Sequence, residues 1–164
     1  GLASSYMHQK RPGDTVEIGP IEGALSLGDP SRDVAFLASG TGLTPMMAML
    51  RQYLREGTGN AHIILGEKRE ETIIHRETLN ELAANNPDLD LTFVLSDPNW
   101  EWTGRIGYAQ DHLEALFDEF TERDFYVCGV PPMVVQAKDR LAELGAPDER
   151  IHSEGWEDSV VADD

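Results

Sequence analysis

Two glycines between an apolar run and a proline mark the place where the backbone of this chain is best suited to hold a ligand. The stretch is Ser39-Gly40-Thr41-Gly42-Leu43-Thr44-Pro45, and it follows Val34-Ala35-Phe36-Leu37-Ala38. Glycines let the chain turn sharply and let a ligand approach closely. Thr44 can cap the helix that follows, and Pro45 suits its first turn, where a missing N–H costs nothing. Unpaired N–H groups and the positive end of a helix dipole then face an anion. A pyrophosphate fits that description, so nucleotide binding is the first reading. The pattern is G-x-G-x-x-P, not the G-x-G-x-x-G of the common dinucleotide fold. An ordinary strand-to-helix connection opened by proline is the competing reading. Two further pairs stand where apolar runs end: Ser96-Asp97 after Leu89–Leu95, and Cys128-Gly129 closing Phe125–Cys128.

The elements that must position these groups can be read from hydrophobic period. An apolar run without turn residues reads as a strand buried on both faces of a parallel sheet. The run 34–38 is of this kind, further strands are read at 62–65, 89–95 and 125–128, and a last short strand at 150–153. Helical patterns lie near 44–56, 71–84, 112–117 and 133–144. The second has Ile74, Leu79, Leu82 and Ala83 on one face. Residues 96–107, with Trp100 and Trp102, read as a loop. This alternation predicts an α/β fold with a five-stranded parallel sheet flanked by helices. Ligands in such sheets sit beyond the carboxyl ends of the strands. The glycine turn and both residue pairs fall there and converge if the strands are parallel.

Residues 1–30 read differently. Arg11-Pro12-Gly13-Asp14 is a turn. Thr15-Val16-Glu17-Ile18 alternates like a half-buried strand and stops at Gly19-Pro20. The stretch to Pro30 is loop. This looks like the end of a β structure, followed by a linker. Beginning at Gly1 and not at methionine, the chain reads as a fragment, a processed product or a trimmed one.

Composition bounds the function classes. The 164 residues suffice for one domain with a real core, and 40% hydrophobic with 26% charged residues are globular values. No apolar run approaches the roughly 20 residues of a membrane span. No signal peptide is visible. One cysteine excludes an internal disulfide framework and a protein-only iron–sulfur site on this chain. The five histidines show no metal spacing, so no metal ligand is assigned. The cytoplasm is the expected compartment. A net charge of -17, from 30 acidic and 13 basic residues, argues against nucleic acid and anionic membranes. The acids are dispersed and lysines are few, which suits work in concentrated salt. An acidic face for a basic partner is the alternative.

Four motifs, in order, resemble the ferredoxin–NAD(P)H reductase superfamily of flavoenzymes, and the resemblance covers essentially the whole chain. GLASSYMHQKRPGDTVEIGP resembles the end of its flavin-binding barrel, FLASGTGLTPMMAML the start of its pyridine-nucleotide domain, FYVCGVPPMV its Cys-Gly motif, and EGW its E-x-aromatic motif. The resemblance implies that residues 1–30 are a barrel remnant and linker, 31–156 an NAD(P)H-binding domain, and 157–164 an acidic tail. It implies FAD contacts at Gly1, Leu2, Ala3, Ser4 and Trp156. It implies NAD(P)H contacts at Gly40, Thr41, Gly42, Leu43, Thr44, Pro45, Ser96, Asp97, Cys128, Gly129, Val130, Pro131 and Met133.

By the same resemblance Cys128 lies near nicotinamide C4 and helps align the hydride path, and Glu154 belongs to the active site. No thiolate nucleophile is invoked. Acidic Asp97 after Ser96 repels an adenosine 2′-phosphate, which favours NADH over NADPH, with Arg69 and Arg105 the nearby cations to weigh against it. The implied role is hydride delivery from NADH to FAD, most of whose binding segment lies outside this chain, and onward transfer to a one-electron acceptor such as an iron–sulfur protein. A flavin reductase or diaphorase with a small acceptor, and a non-catalytic nucleotide-binding regulatory subunit, are the alternatives.

Overall fold

The computed structural model describes residues 2–20, Gly23 and residues 25–154. Its centre is strand β1, Val34–Ser39, flanked by β2, Ala61–Glu67, and by β5, Asp124–Cys128. β3, Leu89–Leu95, and the two-residue β4, Arg105–Ile106, extend the sheet on the β2 side, and β6, Ile151–Ser153, closes it beyond β5. The order is β4-β3-β2-β1-β5-β6, and every pairing is parallel. The sheet thus has six strands where sequence predicts five. The addition is β4, which lies inside the expected loop and pairs with Val94 and Leu95. Two residues are too short to show a hydrophobic period, so only the sheet edge reveals the strand.

Period-2 alternation sends neighbouring side chains of β1 to opposite faces. Val34, Phe36 and Ala38 pack with Ile63, Leu65 and Tyr126 against helix α2, Leu43–Glu56, and helix α3, Arg76–Asn85. Ala35 and Leu37 pack with Ile64, Phe125 and Val127 against α5, Pro131–Glu143, and the short α4, Leu113–Leu116. Val34 through Ala38 are all fully buried, as a strand covered by helices on both faces must be.

Three local expectations are corrected. The helix over 71–84 is interrupted. A 3-10 turn covers Glu70–Thr72, Ile73 is extended, and His75 takes a left-handed φ of 55° before α3 starts. The β-branched run Thr72-Ile73-Ile74 is a poor helix former. Ile73 is buried in place of Ile74, while Leu79, Leu82 and Ala83 do face the core. Thr15–Ile18 forms no strand, and Ile18 is exposed. A strand needs a neighbour to bond to, and the described residues supply none there. Residues Leu2–His8 form a helix, α1, with no buried side chain.

The segment after Gly23 is not a free linker. Leu25 and Leu27 pack against the core, and the Gly28 N–H donates to the Tyr126 hydroxyl at 2.8 Å. No described helix is long and apolar enough to cross a membrane.

Candidate functional site

From β1 the chain builds β2, β3 and β4 outward on one side, then returns to lay β5 on the other. The carboxyl ends of β1 and β5 therefore bound a crevice at the point where strand order reverses, the place where open α/β sheets bind ligands. The register pairs Ala38 with Cys128, so both strands end level there.

On the β1 side the chain makes a 3-10 turn, Gly40–Gly42, and runs directly into α2. The first N–H groups of such a turn have no acceptor within the helix. Gly40 has a φ of 53°, and a Cβ there would meet open space. Gly42 is required for the opposite reason. A Cβ there would collide with the backbone carbonyl of Cys128, so the turn packs directly on the end of β5. Gly129 is similarly pressed against the Ser39 hydroxyl, which accepts a hydrogen bond from the Val130 N–H at 3.1 Å.

The cap of α2 differs from expectation. Gly42 occupies the N-cap position, and no side chain caps the helix. Thr44 lies inside the first turn and is exposed, because the preceding 3-10 turn starts the winding early. Leu43 is fully buried, and its N–H is taken by the Gly40 and Thr41 carbonyls.

A cleft of about 440 Å³ lies between the two loops, lined by Ser39, Gly40, Thr41, Gly42, Pro45, Cys128, Gly129, Val130, Pro131 and Glu154. Nine of the residues singled out by sequence meet there, with Ser39 as the addition. A second cavity of about 280 Å³ shares Ser39, Gly40 and Val130 with the first, and adds Glu67, Lys68, Ser96, Tyr108, Gln110 and Met133. Ser96 and Met133 belong to this cavity. Asp97 stands outside both, in a shallow recess with Arg69 and Asn99. Leu43 and Thr44 line neither.

Glu67, Tyr108 and Gln110 were not legible as site residues. Glu67 carries a signal in hindsight, since it ends a strand next to the glycine turn.

Glu154 is brought to the cleft rim by β6, where its carboxylate accepts the Leu25 N–H at 3.1 Å. Of the expected flavin contacts, Leu2, Ala3 and Ser4 lie in α1, while Gly1 and Trp156 lie outside the described residues. Among the described residues, no group of three metal-ligating side chains is assembled.

The family described as the oxidoreductase NAD-binding domain matches residues 36–139, from the middle of β1 to the body of α5. The chain belongs to that family. It is similar to ferredoxin–NADP reductase B of Sorangium cellulosum strain So ce56, with 34% identity over 96% of this chain and 68% of the relative. It is also similar to the ferredoxin reductase component of 3-ketosteroid-9-alpha-monooxygenase of Mycolicibacterium smegmatis, with 35% identity over 94% of this chain and 42% of the relative. The structure of the CS-b5R domains of human Ncb5or, in its NAD+ form, superposes with a TM-score of 0.84 at 29% identity, over 93% of this chain and 45% of that one. The resemblance to ferredoxin reductases seen in the motifs therefore holds along the whole NAD-binding domain. The chain spans half or less of the length of most of these relatives.

The site fits a dinucleotide of the kind this family binds. Together the two cavities match the size of small-molecule sites, about 300–1,000 Å³. The open face of Gly40 leaves room for a phosphate beside the turn.

Proposed function

We propose that this chain is the nicotinamide-dinucleotide half of a flavin-dependent electron-transfer reductase. The observation that supports this best is the meeting of Gly40–Pro45, Cys128–Pro131 and Glu154 around one cleft at the strand-order reversal. NADH bound there supplies a hydride, which a neighbouring FAD accepts before passing electrons on singly.

In this reading the N–H groups of the 3-10 turn and the start of α2 hold the pyrophosphate. Cys128 and Gly129 form the floor against which the nicotinamide ring lies, and the thiol aligns C4. Positioning of this kind is the protein's main contribution to hydride transfer. Val130, Pro131 and Met133 supply the wall opposite the turn. Ser96 and the second cavity receive the rest of the dinucleotide. Glu154 serves the active site, and Gly1, Leu2, Ala3, Ser4 and Trp156 are assigned as contacts to a flavin held mainly by a segment outside this sequence. Residues 1–30, 31–156 and 157–164 then correspond to barrel remnant with linker, nucleotide domain and acidic tail.

NADH is preferred over NADPH in this proposal, because Asp97 opposes a 2′-phosphate and occupies Arg69. The acceptor is a redox protein, and an iron–sulfur protein is the specific choice. The compartment is the cytoplasm of a salt-adapted cell, given the dispersed charge of -17.

The test is a titration of the purified chain with NADH and NADPH in high salt, with and without FAD, followed by tryptophan fluorescence. Saturable NADH binding with little FAD retention supports the proposal. Absence of NADH binding, in a chain shown to be folded by circular dichroism, overturns it.

A further inference from the structure

The glycine turn is already occupied by an anion, and that anion belongs to the protein. The Gly40 N–H donates to Oε1 of Glu67 at 3.1 Å. Glu67 is the last residue of β2, and the register pairs Ser39 with Gly66, so Glu67 arrives level with Gly40. Gly40 leaves the extended conformation there, and its N–H meets a carboxylate in place of a backbone carbonyl. The other carboxylate oxygen of Glu67 lies 3.3 Å from the Thr72 hydroxyl, whose closer contact is the Arg69 carbonyl at 2.7 Å. Glu67 also lines the cavity adjoining the turn, between Gly66 and Lys68.

We infer that Glu67 is a built-in competitor for the phosphate position of the turn, and that it sets how tightly the site holds a dinucleotide. This rests on the placement of a pyrophosphate at Gly40–Pro45 proposed above. A negative charge at the first N–H of a phosphate-binding turn acts in two ways. It uses a donor that a phosphate oxygen needs, and it repels the phosphate by like charge. Binding therefore requires Glu67 to release Gly40. The side chain is half-buried and has alternative staggered rotamers, so this is a rotamer change, not a backbone rearrangement. The site stays capped in the absence of dinucleotide, which also satisfies an N–H that a partly buried turn would otherwise leave unpaired.

The experiment compares NADH affinity of the full 164-residue chain with that of Glu67→Gln, Glu67→Ala and Asp139→Asn, by titration of NADH fluorescence at one fixed salt concentration. Glu67→Gln keeps an acceptor for Gly40 and removes only the charge. Asp139 is exposed on α5, eight residues beyond Pro131 and roughly 12 Å along the helix axis. Its replacement removes the same net charge away from the turn. Glu67→Gln is expected to bind NADH roughly fivefold more tightly or better, from like charges a few ångströms apart even under water-like screening. Glu67→Ala is expected to bind at least as tightly, and Asp139→Asn to stay near the parent chain. Affinity unchanged or weakened in both Glu67 variants overturns the inference while leaving the nucleotide site intact. A gain in Asp139→Asn equal to that in Glu67→Gln overturns it too, by assigning the effect to overall charge. Absence of NADH binding in all four folded proteins overturns the site reading and the inference with it.

Discussion

Arg69 is bound to Asp97 by two of its nitrogens: Nε and Nη2 both donate to Oδ2, at 3.0 and 2.9 Å. Both side chains are about half exposed, so the pair adds at most about 1 kcal/mol to stability. Asp97 thereby occupies Arg69, the described cation of that recess, and under the proposed function this is where a 2′-phosphate would need a donor.

Removing that carboxylate is expected to change cofactor choice. Asp97→Asn leaves Arg69 without its counter-charge, and Asp97→Arg adds a second cation. Each variant should raise NADPH affinity relative to NADH by roughly tenfold, the worth of one charge-assisted hydrogen bond. Parallel titrations with both nucleotides read the ratio. An unchanged ratio in both variants would remove this recess from the specificity argument.

Gly42→Ala tests the contact between the two halves of the crevice. The backbone of Gly42 is ordinary helix, with a φ of -58°. The difficulty is purely one of space, since the new methyl group would meet the Cys128 carbonyl and Gly129 Cα. Overpacking of this kind costs about 1–3 kcal/mol. A lower urea midpoint together with weaker NADH binding is expected, and an unchanged midpoint would show that the turn yields freely.

His62 gives the fold a dependence on acid. It is buried on β2, 2.8 Å from the Thr92 hydroxyl and edge-on to Phe117. Burial disfavours its charged form and lowers its pKa to about 4, with Asp90 opposing the shift and Arg123 and Arg105 assisting it. The unfolded chain therefore binds a proton between pH 6.5 and about 4 that the folded chain does not. Stability from this group is full above pH 6.5 and falls as pH drops toward 4, by up to about 3 kcal/mol. In His62→Gln that part of the loss should disappear. Urea unfolding of the two proteins at pH 7 and pH 4.5 checks it, and equal losses in both would refute the assignment.

The charge of -17 predicts a response to salt. Screening shortens the reach of repulsion from about 10 Å at 0.1 M to about 3 Å at 1 M. Salt also weakens ion pairs, and the exposed ones, such as Arg140 with Glu114 and with Glu143, contribute little, while those gathered on buried Asp124 are screened less. The thermal midpoint should therefore rise by several degrees between 0.1 and 2 M KCl. A midpoint that stays flat or falls would set aside salt adaptation as the reason for the acidic surface.

Much of the fold was legible because its signals are local. Leu89–Leu95, with leucines at 89, 91 and 95 and polar Asp90 and Thr92 between them, forms the strand read from it, and the run 34–38 is the centre of the sheet. The turn at Gly40 was legible because glycine conformation and the start of α2 are decided by neighbouring residues. Where local signals compete, packing decides between them. Thr44 looks like a cap, yet the 3-10 turn begins the helix before it, and the chain between Glu70 and Arg76 breaks to bury Ile73.

By itself the sequence determined an α/β domain, a glycine turn after its first buried strand, and a family. These follow from side-chain period and backbone sterics over a few residues. Only the tertiary structure decided which strands are neighbours, and hence that β1 and β5 frame the crevice. It also decided that Glu67 meets Gly40, that Asp97 holds Arg69, and that Glu154 reaches Leu25 across 129 positions. Such meetings depend on strand order and register, which arise from packing the whole sheet and leave no local pattern to read.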